Sequence, residues 1–212
     1  MTAPRRALIV VDVQQEYFDG PLQIQYPPHE DSLTNIVTAV EAATAQRVPV
    51  VVVQHQMPAG APVFVEGTDG WDLHPEIEKR IDASTKRVHK IHGSVFAGTD
   101  VAEWLRQNDI DTITIVGHMA NNCDLATAVE AEGLGFAAEI LSDATGAINL
   151  SNDRGSVSAR DLHETLMVLL HSNFAAVTTT RGWIEALDSG EPLEKSNLVV
   201  SAMSGREAAA SV

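Results

Sequence analysis

Ala7-Leu8-Ile9-Val10-Val11-Asp12-Val13 is a nearly continuous apolar run of strand length with one carboxylate near its end. Unbroken apolar character, rather than strict alternation, suits a strand covered on both faces, as in a parallel sheet. Outward from this run the chain alternates between similar short segments and helical ones. A loop punctuated by glycine and proline occupies residues 19–30, and Asp31 or Ser32 is placed to cap a helix carrying Leu33, Ile36, Val37 and Val40 on one face. Residues 49–53 form a second strand candidate, rich in β-branched valine.

Residues 54–86 are broken up by Pro58, Gly60, Pro62, Gly67 and Gly70, and Pro75 is placed to start a short helix towards Arg80. A long irregular stretch inside a compact domain is often functional. The alternation then resumes. A third strand covers 87–91, and a helix capped by Thr99 or Asp100 holds Val101, Trp104 and Leu105. A fourth strand covers 111–116 and is closed by Gly117. A helix follows from about Asn122 and stops at Gly133. A fifth strand covers 136–141. Residues 158–171 read as a helix with Leu162, Leu166, Leu169 and Leu170 along its buried side. A sixth strand covers 174–177, and a last helix starts at about Arg181. This order predicts an α/β fold: a three-layer α-β-α sandwich, Rossmann-like, around a mostly parallel six-stranded sheet. Residues 1–187 form the domain. The tail at 188–212 mixes polar residues with the apolar patch Leu198-Val199-Val200 and is expected to be either disordered or packed on a partner subunit.

The bulk properties narrow the function. With 212 residues, 44% hydrophobic and 20% charged, the chain can bury a core without staples. A formal net charge of −15 argues against a nucleic-acid partner, which needs a basic face. The single cysteine, Cys123, excludes an intrachain disulfide and gives an oxidising compartment no support. The basic stretch at residues 1–6 and the five apolar residues behind it are too short for a signal h-region or a membrane span. A cytoplasmic protein with no membrane partner is the default.

In open parallel sheets, ligands bind beyond the carboxyl ends of the strands. Asp12 lies near the end of the first strand, Lys90 near the end of the third, and Cys123 just after the fourth, at or near a helix start. Taken singly, each has a structural reading: a small buried hydrophobe, a loop cap, a solvated charge. Their convergence on one sheet edge makes them a candidate set. A thiolate is a nucleophile, and a helix N-terminus and a nearby ammonium both stabilise it. A partly desolvated carboxylate can take the thiol proton and hand it to a leaving amine. Backbone N–H groups between Gly117 and Cys123 can hold an oxyanion.

Three motifs, in order, carry a resemblance: Asp12-Val13-Gln14-Gln15-Glu16-Tyr17, then Lys90 with Gly93-Ser94-Val95-Phe96, then Gly117-His118-Met119-Ala120-Asn121-Asn122-Cys123. With Leu141-Ser142-Asp143-Ala144 they resemble the isochorismatase-like cysteine hydrolases, a superfamily that includes nicotinamidases, N-carbamoylsarcosine amidases and isochorismatases proper. The resemblance runs from about residue 6 to about residue 180. It implies Asp12 as general acid/base, Lys90 as the group that lowers and orients the thiol, and Cys123 as nucleophile. It also implies a non-proline cis peptide at His118–Met119 and an oxyanion hole from the N–H groups of Met119 and Cys123. The expected activity is hydrolysis of a small amide, carbamoyl or ureide C–N bond. The alternatives are isochorismatase-type vinyl-ether hydrolysis and a non-catalytic family member that binds a ligand or senses redox through Cys123. A homo-oligomer is implied as well. Ala120 and Asp124 depart from the family pattern, and Asp124 puts an extra carboxyl beside the thiol.

Nicotinamidases of this superfamily carry an Asp-x-His metal motif after the second strand. Here the stretch is Val53-Gln54-His55-Gln56, with no carboxylate beside His55. His55 and His74 alone make a poor site, so no metal and no other cofactor is expected. Gln14, Tyr17, Trp71, Phe96, His118 and Asn122 are the candidates for contacting a small-molecule substrate, Gln14 also by orienting Asp12. The Gly93–Thr99 region lacks the G-K-[ST] ending of a phosphate loop, and no G-x-G-x-x-G follows the first strand, which removes nucleotide readings.

Overall fold

The computed structural model describes residues 3–210; the outermost residues of the basic N-terminal stretch and of the small, polar tail end lie outside the described residues. Strand β1, Arg6–Val11, is buried at every position, as its continuous apolar run requires. Ala7, Ile9 and Val11 face one layer while Leu8 and Val10 face the other. Each of these side chains contributes about 1.5–3 kcal/mol by leaving water, the smaller alanine less. Parallel neighbours flank β1: β2 (Val50–His55) on one side and β4 (Thr112–His118) on the other. With β3 (Lys86–Lys90), β5 (Ala137–Gly146) and β8 (Ala176–Thr178) they form one sheet in the order β3-β2-β1-β4-β5-β8, parallel throughout.

Helices cover both faces. Helices α3 (Val101–Gln107), α4 (Leu125–Leu134) and α5 (Ala159–Asn173) supply Val101, Leu105, Ala128, Ala131, Leu166 and Leu170 to one layer. Helices α1 (His29–Ala45) and α6 (Thr180–Ser189) supply Leu33, Ile36, Val40 and Trp183 to the other, joined by Ile77 of the short α2 (Pro75–Glu78). The Leu141-Ser142-Asp143-Ala144 stretch ties α6 in place. Asp143 Oδ1 accepts from the Thr180 N–H at 2.7 Å and from its hydroxyl at 2.8 Å, so a donor otherwise orphaned at the helix start is satisfied.

Several boundaries differ from expectation. Helix α1 starts at His29 rather than after a cap at Asp31 or Ser32; Ser32 is buried and its hydroxyl donates to the His29 carbonyl. Helix α4 begins only at Leu125, because a π-helical turn, Ala120–Asp124, comes first. It passes through Gly133 and ends before Gly135, whose φ of 83° supplies the left-handed stop. Leu169 points to solvent, so the buried stripe of α5 runs through Leu166 and Leu170. A hairpin, β6 (Leu150–Asn152) with β7 (Gly155–Val157), was not foreseen: its six residues are too short and too exposed to carry a hydrophobic pattern. Residues of the tail form helix α7, Leu198–Ala210.

Candidate active site

Strand β1 delivers Asp12 immediately past its last paired residue, with φ of 49°, a backbone region that non-glycine residues rarely adopt. Strand β3 ends on Lys90. Strand β4 leads into the π-helical turn that holds Cys123. The end of β4 approaches β1 closely, and a Cβ at Gly117 would stand 2.0 Å from the Val11 carbonyl oxygen, so only glycine fits there. The His118–Met119 peptide is cis.

The three side chains meet below the surface: Asp12 is 0%, Lys90 1% and Cys123 3% exposed. The Lys90 ammonium is their common contact, 2.7 Å from Asp12 Oδ2 and 3.2 Å from Cys123 Sγ. It also donates to His55 Nδ1 and to the His92 carbonyl, each at 3.1 Å. Burial pulls the ammonium down, but the Asp12 carboxylate and the Cys123 sulfur outweigh it and hold Lys90 above its ordinary value. Burial raises the Asp12 carboxyl, and Lys90 opposes the rise. Burial, then the charge of Asp12, pushes the Cys123 thiol well up, with Lys90 pulling the other way. The Lys90–Asp12 salt bridge thus lies beside a thiol that burial disfavours ionising. His55 is lowered to about 4 by burial, then by Lys90, so its ring is neutral and faces the ammonium as an acceptor.

Asp12, His55 and Cys123 place one potential ligand atom each within 4.8 Å of one another. The lysine ammonium already lies among them and supplies the cation they face. His74 is engaged elsewhere: its Nδ1 accepts from the Glu76 N–H, and its ring lies 4.5 Å from Phe18. His74 is thus engaged with Glu76 and Phe18, while His55 faces the Lys90 ammonium.

Tyr17 and His118 stand beside the triad. Tyr17 is buried, its hydroxyl raised by burial and then by the charges of Asp12 and Cys123, and its ring packs edge-on to His118 at 5.4 Å. His118 is buried and lowered to about 3; its Nε2 meets the Ser32 hydroxyl at 3.3 Å, while Nδ1 has no partner. The other candidates are placed differently. The Gln14 amide is spent on backbone: it donates to the His55 and Trp71 carbonyls and accepts from the His55 N–H at 2.7 Å, so it clamps β2 to the loop instead of facing a substrate. Trp71 lies at a separate cavity of about 850 Å³ with Gln54, Leu73, Arg87 and His89, which none of the triad lines. Phe96 is core, stacked on Phe136 at 5.8 Å. Asn122 is exposed, next to Gly93.

One neighbour of the site escaped sequence reasoning. Phe64, buried within the broken 54–86 stretch, packs 5.3 Å from both Tyr17 and His55. Asp124, which the sequence places beside the thiol, is fully buried with both oxygens lacking partners, and burial followed by the charge of Asp12 raises it to about 8.

The isochorismatase domain family matches residues 6–182. The chain belongs to the isochorismatase family. A solved protein from Burkholderia xenovorans, described as of isochorismatase type, is 45% identical to this family member. It covers 99% of this chain and 100% of its own with a TM-score of 0.95, so the likeness extends into α7. A secreted isochorismatase effector of Verticillium dahliae is 30% identical over 82% of this chain and 87% of its own length. The nicotinamidase/pyrazinamidase of Mycobacterium tuberculosis is 28% identical over 68% of this chain and 88% of its own. Among the described residues of this isochorismatase-family hydrolase, no helix is long and apolar enough to cross a membrane.

Proposed function

We propose that this chain is a cysteine-dependent hydrolase of a small amide, carbamoyl or ureide C–N bond, acting through a thioester. The observation that carries the reading is the Lys90 ammonium, held between the Asp12 carboxylate at 2.7 Å and the Cys123 sulfur at 3.2 Å. A protonated thiol is a weak nucleophile, so its proton must leave as the bond forms. Asp12 takes that proton while Sγ attacks the carbonyl carbon, and Lys90 stabilises the sulfur's developing charge. The carbonyl electron pair moves to oxygen, where the N–H groups of Met119 and Cys123 receive it. Collapse of the tetrahedral species expels the amine with the proton from Asp12 and leaves the acyl group on sulfur. Water, deprotonated by Asp12, hydrolyses the thioester and restores the thiol. The sum is amide plus water to acid plus amine.

The test is a panel of primary amides, carbamoyl amino acids and ureides read out as ammonia, with Cys123→Ala beside the wild type. Turnover is expected to vanish in the variant while the circular dichroism spectrum is kept; full activity in Cys123→Ala would remove the nucleophile. The names of the Burkholderia and Verticillium relatives favour a second reading, vinyl-ether hydrolysis. Release of pyruvate without ammonia would select it.

A further inference from the structure

The cavity of about 850 Å³ beside Trp71 has no part in the reaction at Cys123. Its size falls among small-molecule sites, which span about 300–1,000 Å³. Strands β2 and β3, helix α2 and the turn before α2 build it, with Trp71, Leu73, Pro75, Gln54 and His89 on its walls. Leu73 and Gln54 are buried, Trp71 is half-buried and His89 is exposed. The Trp71 and His89 rings meet edge to face, their centroids 5.3 Å apart and their planes at 77°. Such a corner suits a flat ring, which stacks on one ring and meets the other edge-on. The backbone of this wall is fixed, since the Trp71 carbonyl accepts from the Gln14 amide at 2.8 Å and from the Gln54 amide at 3.1 Å. The side chain is left incomplete: the Trp71 indole N–H is buried and has no acceptor. A buried donor without a partner is destabilising and calls for a cause, and an acceptor on a bound ligand supplies one.

The rim selects against charged ligands. Arg87 is paired with Glu78 and Lys79 with Glu76, so an anion finds both cations already occupied. Asp72 adds a negative charge at the same rim, on a chain that carries −15. The apolar walls at Leu73 and Pro75 give a cation nothing in return for its lost water. We propose that this cavity binds an uncharged, flat heteroaromatic compound that carries a hydrogen-bond acceptor, its ring in the Trp71–His89 corner and its acceptor on the Trp71 indole N–H. It is a second site, because none of Asp12, Lys90 and Cys123 lines it.

Quinoline is the probe: a flat bicycle with a ring-nitrogen acceptor, uncharged at neutral pH. The chain has three tryptophans, so a proton–nitrogen correlation spectrum of the full chain separates their indole N–H signals, and Trp71→Phe identifies the signal of Trp71. Quinoline is expected to move that signal downfield, as donation to an acceptor requires, and to saturate it with a dissociation constant of about 1 mM or tighter. The signals of Trp104 and of the fully buried Trp183 stay in place. His89→Ala, at an exposed position, is expected to weaken binding roughly threefold or more. N-methylquinolinium, which loses the acceptor and gains a charge, and the anion quinoline-3-carboxylate are each expected to bind roughly tenfold more weakly. Should Trp71→Phe lose its fold, Trp104→Phe and the slow deuterium exchange of Trp183 assign the signals by elimination. A Trp71 signal that stays fixed up to the solubility limit of quinoline would overturn the proposal. So would undiminished binding in His89→Ala, or a charged analogue that binds as tightly as quinoline.

Discussion

Replacing Asp124 with leucine tests whether this fold keeps a neutral carboxylic acid next to its nucleophile. Both carboxyl oxygens are buried without partners, and the group is raised from 3.8 to about 8 by burial first and by the Asp12 charge second, with Lys90 opposing. The sign follows from linkage. Between about pH 4 and 8 the unfolded chain has released a proton that the folded chain retains. The neutral acid's contribution is therefore fully present below the unfolded value and is lost as pH rises through about 8. Within that window the loss is about 1.4 kcal/mol per pH unit. Leucine, similar in shape and apolar, has no such term, and exchanging an unpartnered polar group for an apolar one is close to neutral at low pH. Urea unfolding of both proteins at about pH 5 and about pH 7 is expected to show the variant gaining roughly 2.7 kcal/mol on the wild type between the two conditions. A stability difference that stays constant with pH would refute the reasoning, because it would mean that Asp124 is ionised throughout or partnered.

Other outcomes follow from the same packing. Gln14→Leu removes a side chain that serves the His55 N–H and carbonyl; it is expected to lower stability by about 2–4 kcal/mol in denaturant titration, since buried backbone groups are left unpaired. Phe96→Ala is expected to cost about 3–5 kcal/mol yet leave the ranking of substrates by KM unchanged; an altered ranking would put the ring in the pocket after all. Because burial and Asp12 keep the Cys123 thiol protonated, iodoacetamide is expected to label the free protein slowly at neutral pH and faster as pH rises, followed by mass spectrometry. Rapid neutral labelling would mean a preformed thiolate.

Much of the architecture was legible because buried parallel strands are written in a local code. The run that became β1 is apolar after Arg6, β2 opens on four valines and β4 sets isoleucines and a valine among threonines, with amphipathic stretches between, so element type and order could be read directly. Boundaries were less legible where two local signals competed. Gly133 reads as a stop, yet it is Gly135, two residues on, that takes up the left-handed conformation. The pocket residues were the least legible. Gln14 and Tyr17 sit three apart beyond the same strand, yet one clamps backbone and the other faces the triad. Phe64 had no signal beyond being an aromatic in a broken stretch.

The sequence by itself determined that Asp12, Lys90 and Cys123 share one sheet edge. Strand direction is common to a parallel sheet, so any residue just past a strand lies at the carboxyl end. It could not determine that the ammonium would lie between the acid and the sulfur, or that His55 would face that ammonium as a neutral ring. Those depend on the registers of β1 with β2, β2 with β3 and β1 with β4, and on the π-helical turn. Register and turn are settled by contacts between residues far apart in the chain, where spacing along the sequence carries no information. The same holds for Asp124: a carboxylate beside a cysteine is charged or neutral according to what covers it, and only the folded chain decides that.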